Sequence, residues 1–177
     1  MTEIYLGLGT NLGDRRKNLE NAIYLCHKLI GVFRANSNFY ETAPWGFASQ
    51  NRFLNCVIVL DTEHPAELCL QMANAIEREM GRVRTDEPGY HDRIIDIDIL
   101  QYGDEIIDTP NLKVPHPLML QRDFVLRPLA ELAPNLTHPV VGKCYRDLYA
   151  DFLKAQNEAL QKAMDASNDA TDSTSNN

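Results

Sequence analysis

The stretch Arg93-Ile94-Ile95-Asp96-Ile97-Asp98-Ile99-Leu100 restricts what this chain can fold into more than any other. Ile95, Ile97 and Ile99 alternate with Asp96 and Asp98, the period of a strand buried on one face only. The two carboxylates then stand about 7 Å apart on the open face, where each raises the other's pKa unless a cation joins them. An isolated Asp-x-Asp pair is more often the solvent side of an amphipathic strand. Its surroundings change that reading. Gly81-Arg82-Val83-Arg84 lies upstream, followed by a polar loop containing glycine and proline and then by Arg93. Fixed cations around an acidic pair suit a metal-bound polyphosphate. Oxygen-only ligands favour magnesium, which takes one or two protein carboxylates together with substrate phosphates.

The rest of the chain supplies a frame for this strand. Glu3 to Gly9 alternates with Ile4, Leu6 and Leu8 on one face, and Gly7-Leu8-Gly9-Thr10-Asn11-Leu12-Gly13 reads as a tight strand-to-helix connection. Its glycine spacing misses Gly-x-Gly-x-x-Gly by one residue, and no Gly-Lys-Ser/Thr follows. Asp14 is a fitting N-cap for a helix carrying Leu19, Ala22, Ile23, Cys26 and Ile30, which Gly31 ends. Val32 to Tyr40 reads as a second strand, Thr42 to Arg52 as a loop holding Trp45, and Phe53 to Thr62 as a third strand. Asn55 puts an amide into one apolar stripe of that strand, where it must find a partner, either backbone or the edge of a heterocycle. Pro65 opens a second helix, and Gly81 closes it. The acidic strand follows, then a turn at Tyr102-Gly103-Asp104-Glu105 and a short return strand at Ile106-Ile107. The order strand, helix, strand, strand, helix, strand predicts an α+β fold. It is the ferredoxin-like βαββαβ pattern: an antiparallel sheet with both helices on one face and the other face free for a site. C-terminal additions follow: an extended segment from Asn111 to Met119, a helix from Asp123 to Leu132, and another from Lys143 to about Met164. Residues 1–164 are expected to form one domain, and 165–177 a disordered polar tail.

Composition narrows the partners. A net charge of −8 speaks against a nucleic-acid-binding surface. No apolar run approaches the length of a membrane span, and Met1-Thr2-Glu3-Ile4 lacks the basic segment of a secretory signal. Cys26, Cys56, Cys69 and Cys144 are scattered, without zinc spacing, and read as free thiols in a reducing, cytoplasmic setting.

These residues together resemble one family. Leu8-Gly9-Thr10-Asn11-Leu12-Gly13, Phe39-Tyr40-Glu41-Thr42, Phe53-Leu54-Asn55, Gly81-Arg82-Val83-Arg84, Asp92 to Ile99, Val114-Pro115-His116-Pro117 and Arg122-Asp123-Phe124-Val125-Leu126 occur in the order found in the 6-hydroxymethyl-7,8-dihydropterin pyrophosphokinases. The resemblance runs from about Ile4 to about Ala133. It implies transfer of the β,γ-diphosphate of ATP to the hydroxymethyl group of the reduced pterin, with release of AMP, in folate biosynthesis. It implies that Asp96 and Asp98 hold two magnesium ions, and that Arg82 and Arg93 act on the phosphates as catalytic groups. Glu77, Arg84, Ile99, His116 and Arg122 are implied as nucleotide contacts. Phe53 and Phe124 would sandwich the pterin, Asn55 would pair with its pyrimidine edge, and Thr42, Ala43, Trp45 and Tyr90 would complete that site. The partners implied are ATP and the reduced pterin, met by a monomer.

The chain departs from the family pattern in places. His91-Asp92-Arg93 stands where Gly-Pro-Arg is usual, in a loop one residue longer. Tyr90 replaces a tryptophan, Phe53 a tyrosine, and Pro117 an aromatic residue found in some members. His91 and Asp92 are the features that would favour a catalytically impaired pterin- or nucleotide-binding relative; Arg82, Arg93, Asp96 and Asp98 favour the enzyme.

Overall fold

The computed structural model describes residues 1–82 and 91–172. Its centre is β1 (Thr2–Thr10), which leads into α1 (Arg15–Leu29) across a short turn. The sheet then adds β2 (Val32–Asn36), β3 (Tyr40–Thr42), β4 (Phe53–Thr62) and β5 (Asp96–Tyr102), with α2 (Ala66–Glu79) between β4 and β5. Strand order is β2-β4-β1-β5, every pairing is antiparallel, and β3 extends the edge beside β4.

Local chemistry accounts for the element boundaries. The Asp14 carboxylate accepts the Lys17 N–H at 3.0 Å and caps α1. Leu19, Ala22 and Cys26 then recur on one stripe, which is buried against Ile4, Leu6 and Leu8 of β1. Cys69, Ala73 and Ile76 of α2 bury the same way, and Ile97 and Ile99 of β5 join them. Both helices therefore cover one face of the sheet, as the alternation predicts. Cys26, Cys56 and Cys69 are buried free thiols in or beneath this layer.

Four expectations are corrected. The strand expected over Val32–Tyr40 is two strands. Ser37, 1% exposed, breaks it by donating its N–H to the Val57 carbonyl while its hydroxyl takes the Val57 N–H, so β3 restarts in a new register with Tyr40 opposite Asn55. The connection expected from Gly7 begins later: β1 runs through Gly7 and Gly9 to Thr10, as the alternation from Glu3 to Gly9 predicts, and leaves Asn11 to Asp14 for the turn. The return strand is β6 (Ile107–Asp108), and it pairs with β7 (Lys113–Val114) rather than with β5.

The fourth correction matters most. The second face of the sheet is only partly free. α3 (Asp123–Leu132) and α4 (Tyr145–Asp172) pack on it through Val125, Leu126, Leu129 and Tyr145, against Tyr5, Val57, Val59 and Leu100. A bulge in β5 helps: Leu6 faces Ile99 and Tyr5 faces Gln101, which leaves Leu100 as the extra residue. Gln101 is fully buried, and its amide oxygen accepts the Tyr145 hydroxyl. α4 continues to Asp172, into the segment expected to be a tail. Its exposed Leu160 and Met164 lie beyond the region that packs on the sheet. Among the described residues, no helix is long and apolar enough to cross a membrane.

Candidate active site

A cleft of about 580 Å³, counting its open mouth, occupies the end of the second face that α3 and α4 leave uncovered. Its floor is β1. Gly7 and Gly9 point toward it, and neither contributes a side chain. One row of the sheet crosses this floor: Asn55 of β4 is paired with Gly9, and Gly9 with Asp96 of β5. Asn55 is 5% exposed, and its Nδ2 donates to Thr42 Oγ1 at 2.7 Å. The position of Gly9 admits no larger residue without movement, since a Cβ there would lie 2.6 Å from Asn55 Oδ1.

The walls are aromatic on the Asn55 side. Phe53 meets Phe47 edge to face with ring centroids 6.1 Å apart, and Trp45, Ala43 and Phe124 also line the cleft. Arg122, 5% exposed, packs its guanidinium 4.5 Å from the Trp45 ring centroid and 5.6 Å from that of Phe124. A flat heterocycle fits such a slot. Phe47 was missed in the sequence. It shares a loop with Trp45, and a second large aromatic there was the available signal.

The Asp96 side is charged. Gly81, at φ +92°, closes α2 and lets the chain reverse so that Arg82 faces back toward β5. Arg82 Nη1 donates to Glu77 Oε1 and to Asp96 Oδ1, both at 2.6 Å. Arg93 Nη1 donates to the other Asp96 oxygen at 2.9 Å, and its Nε to the His91 carbonyl at 2.9 Å. One carboxylate thus holds two guanidinium groups at the edge of the cleft. Asp98 lies within 3.8 Å of Arg122 Nη1 and 4.0 Å of His116 Nε2. Burial pushes the Asp98 carboxyl up to about 7, the Asp96 charge adds to this, and Arg122 opposes it. Its side chain nonetheless keeps 37% of its surface, open to the cleft.

His116 is neutral at pH 7. Burial and then Arg122 push its pKa down to about 4. Its Nδ1 accepts the Leu118 N–H at 3.1 Å, so the proton sits on Nε2, the nitrogen nearest Asp98. His116 therefore offers a neutral donor beside the acidic pair.

Two residues expected as nucleotide contacts do not line the cleft with their side chains. Glu77 is 2% exposed and lies beneath the cleft, where it takes Arg82 and the N–H of Ile97 at 2.8 Å. The Ile99 side chain is buried on the opposite face, under α1 and α2. Arg84 and Tyr90 lie outside the described residues.

The charge balance says what this site can accept. Arg82, Arg93 and Arg122 stand against Glu77, Asp96 and Asp98. A triphosphate entering alone would meet little net positive charge. Divalent cations held by Asp96 and Asp98 would supply the difference and offset both the burial of the Asp98 carboxylate and the Asp96 charge beside it. The donors are all oxygen, which suits magnesium. Among the described residues no third acidic, histidine or cysteine ligand completes a cage, so phosphate and water oxygens would have to fill the remaining positions.

Comparisons with known proteins give the family to which this fold and sequence are similar. A family model described as 7,8-dihydro-6-hydroxymethylpterin-pyrophosphokinase matches residues 5–134. A 2-amino-4-hydroxy-6-hydroxymethyldihydropteridine pyrophosphokinase of Porphyromonas gingivalis strain W83 is 47% identical over 141 residues, covering 78% of this chain and 95% of the relative. The protein of the same name from Aquifex aeolicus is 43% identical over 144 residues, covering 81% of this chain and 88% of the relative. The crystal structure of wild-type Plasmodium falciparum HPPK-DHPS with pteroate shares the fold at a TM-score of 0.73 and 18% identity, over 90% of this chain and 46% of that longer one.

Proposed function

The chain belongs to the 7,8-dihydro-6-hydroxymethylpterin-pyrophosphokinase family, and from that premise we propose how its cleft works. The enzyme is a pterin pyrophosphokinase of folate biosynthesis. The pterin hydroxymethyl oxygen attacks the β-phosphorus of ATP, and the bond from that phosphorus to the α,β-bridging oxygen breaks. AMP leaves with that oxygen, and the hydroxyl proton passes to water.

The observation that carries this assignment of parts is the row Asn55–Gly9–Asp96. It sets a hydrogen-bonding amide and a carboxylate of the acidic pair on opposite sides of one bare strand, with aromatic walls at one end and arginines at the other. The heterocycle lies over Gly9 between Phe53 and Phe124, with its pyrimidine edge on Asn55 and Thr42 and flanked by Ala43 and Trp45. The triphosphate lies over Asp96 and Asp98. Two magnesium ions, held by these carboxylates, would neutralise the triphosphate and polarise the attacked phosphorus. Arg82 and Arg93 are held ready by Asp96 and exchange that carboxylate for phosphate oxygens as substrate enters, stabilising charge at the transition state. Glu77 holds Arg82 from beneath. Arg122 and the neutral Nε2–H of His116 steady the nucleotide end. Arg84 and Tyr90 stay assigned to nucleotide and pterin on the resemblance alone.

The strand order and the two helices on one face support reading the fold as ferredoxin-like βαββαβ with C-terminal additions. The residues assigned to the site lie in a single chain, which is why we read it as a monomer, and the buried thiols support a cytoplasmic setting. A relative that binds both substrates without transfer is not favoured, since Arg82, Arg93, Asp96 and Asp98 converge on one place.

Mixing the protein with ATP, magnesium and 6-hydroxymethyl-7,8-dihydropterin tests the proposal. Formation of AMP and pterin diphosphate in equal amounts is expected. ADP as the product, or no turnover, would overturn it.

A further inference from the structure

Three segments distant in sequence meet at one carboxylate just outside the cleft. Asp92 Oδ1 accepts Asn11 Nδ2 at 2.6 Å, and Asp92 Oδ2 accepts Asn51 Nδ2 at 2.8 Å. Asn11 is 4% exposed and is fully engaged. Its Oδ1 accepts the Arg93 N–H at 2.7 Å, and its own N–H donates to the Arg93 carbonyl at 3.1 Å. Arg93 in turn reaches Asp96 at 2.9 Å. On the other side, Asn51 belongs to the segment 43–52, which has no regular structure and carries Ala43, Trp45 and Phe47 into the cleft. Arg15 ties both flanks of that segment as well, donating to the Arg52 carbonyl at one end and to Glu41, just before the other.

We infer that Asp92 is a positioning residue: its carboxylate joins the pterin-facing segment 43–52 to the backbone of Arg93, so that both halves of the site are set together. The inference rests on the function proposed above. Asp92 is the position at which this chain departs from the usual Gly-Pro-Arg. A proline there stiffens the approach to the arginine through its ring. Asp92 fixes the same place by side-chain hydrogen bonds, and those bonds reach the loop as well. Hydrogen bonds from Ser49, Asn51 and Asn11 hold its carboxyl below the usual range, so it is ionised and accepts from both amides at neutral pH. An Asn at this position would keep one acceptor and lose the other; an Ala would lose both.

The test uses the full chain and the variants Asp92→Ala, Asp92→Asn, Asn51→Ala and the double variant Asp92→Ala/Asn51→Ala. Trp45 is the sole tryptophan and sits in the tethered segment, so its emission reports that segment in the absence of substrate. Asp92→Ala is expected to shift Trp45 emission, raise the pterin KM about tenfold and lower kcat several-fold, while the ATP KM changes less than about twofold. Asp92→Asn should fall between wild type and Asp92→Ala, and it serves if Asp92→Ala does not fold. The double variant should be no worse than Asp92→Ala, because both substitutions break one connection. Unchanged pterin KM and emission would overturn the inference. So would additive losses, or a lower Tm with both KM values and kcat scaled alike. If the wild type itself forms no AMP, the proposed function fails, and the Trp45 emission of the variants still decides the connection.

Discussion

Gly9 and Asn55 face each other across β1 and β4, and a methyl group on Gly9 would lie 2.6 Å from the Asn55 amide oxygen. The bare α-carbon leaves room for that amide to stay hydrogen-bonded to Thr42 at the edge of the cleft. Gly9→Ala should therefore displace Asn55 with little effect on the strand, since Gly9 needs no unusual backbone angle. Pterin affinity is expected to fall about tenfold or more, with thermal unfolding nearly unchanged. Calorimetric titration of 6-hydroxymethylpterin in the presence of a non-hydrolysable ATP analogue checks this. Wild-type affinity in the variant would move the heterocycle away from Asn55.

Asp98 makes stability depend on pH in an unusual direction. Its carboxyl ionises near 7 in the folded protein and near the ordinary carboxylate range when unfolded. As pH rises through that window the unfolded chain loses its proton first, so stability contributed at this site declines from about pH 4 to about pH 7 and then levels off. Asp98→Asn, neutral throughout, should match the wild type near pH 4 and exceed its Tm by a few degrees near pH 8. Magnesium should raise the Tm of the wild type at pH 8 more than that of the variant. Parallel melting profiles across this range would remove Asp98 from the acidic pair. The same variant should lose nearly all transfer activity.

Arg93 and Asp96 form a pair that substrate is proposed to break. Arg93→Ala should lower kcat by about a hundredfold, because its charge matters most when phosphate charge develops. The pterin KM should change far less. A kcat within a few-fold of wild type would confine Arg93 to holding Asp96.

The contact between Tyr145 and Gln101 is structural. Tyr145→Phe leaves the fully buried Gln101 amide oxygen without this donor and should cost about 1–2 kcal/mol in urea unfolding. Steady-state turnover at 25 °C should be unchanged. A matching loss of turnover would mean that α4 supports the cleft directly.

Much of this architecture was legible because hydrophobic period and strand geometry are coupled. Ile95, just before β5, and Ile97 and Ile99 within it could only be the buried side, and that put Asp96 and Asp98 together on the other. The bare floor was not legible, because a missing side chain has no chemistry until its neighbours are known. Gly7 and Gly9 acquire meaning only beside Leu100, Asn55 and Asp96. The covering of the second face by α3 and α4 had a signal that was passed over. β4 is apolar on both sides, with Cys56, Ile58 and Leu60 on one and Val57 and Val59 on the other, and a sheet with one open face has no use for the second stripe. Glu77 shows a different limit. It lies on the buried stripe of α2 beside Ile76, and only the positions of Arg82 and the Ile97 N–H explain how a carboxylate is tolerated there.

The row Asn55–Gly9–Asp96 also works as a ruler. Two inter-strand spacings separate its ends, about 10 Å, and the hydrogen bonds of both ladders prevent that length from stretching. In the proposed pose a ring whose edge is fixed on Asn55 can bring a hydroxyl to the phosphate end only if the arm between them has one particular length. An added carbon in that arm would overshoot, and a missing one would fall short. Selectivity for the one-carbon arm then needs no side chain that touches it; it is stored in the width of a single strand.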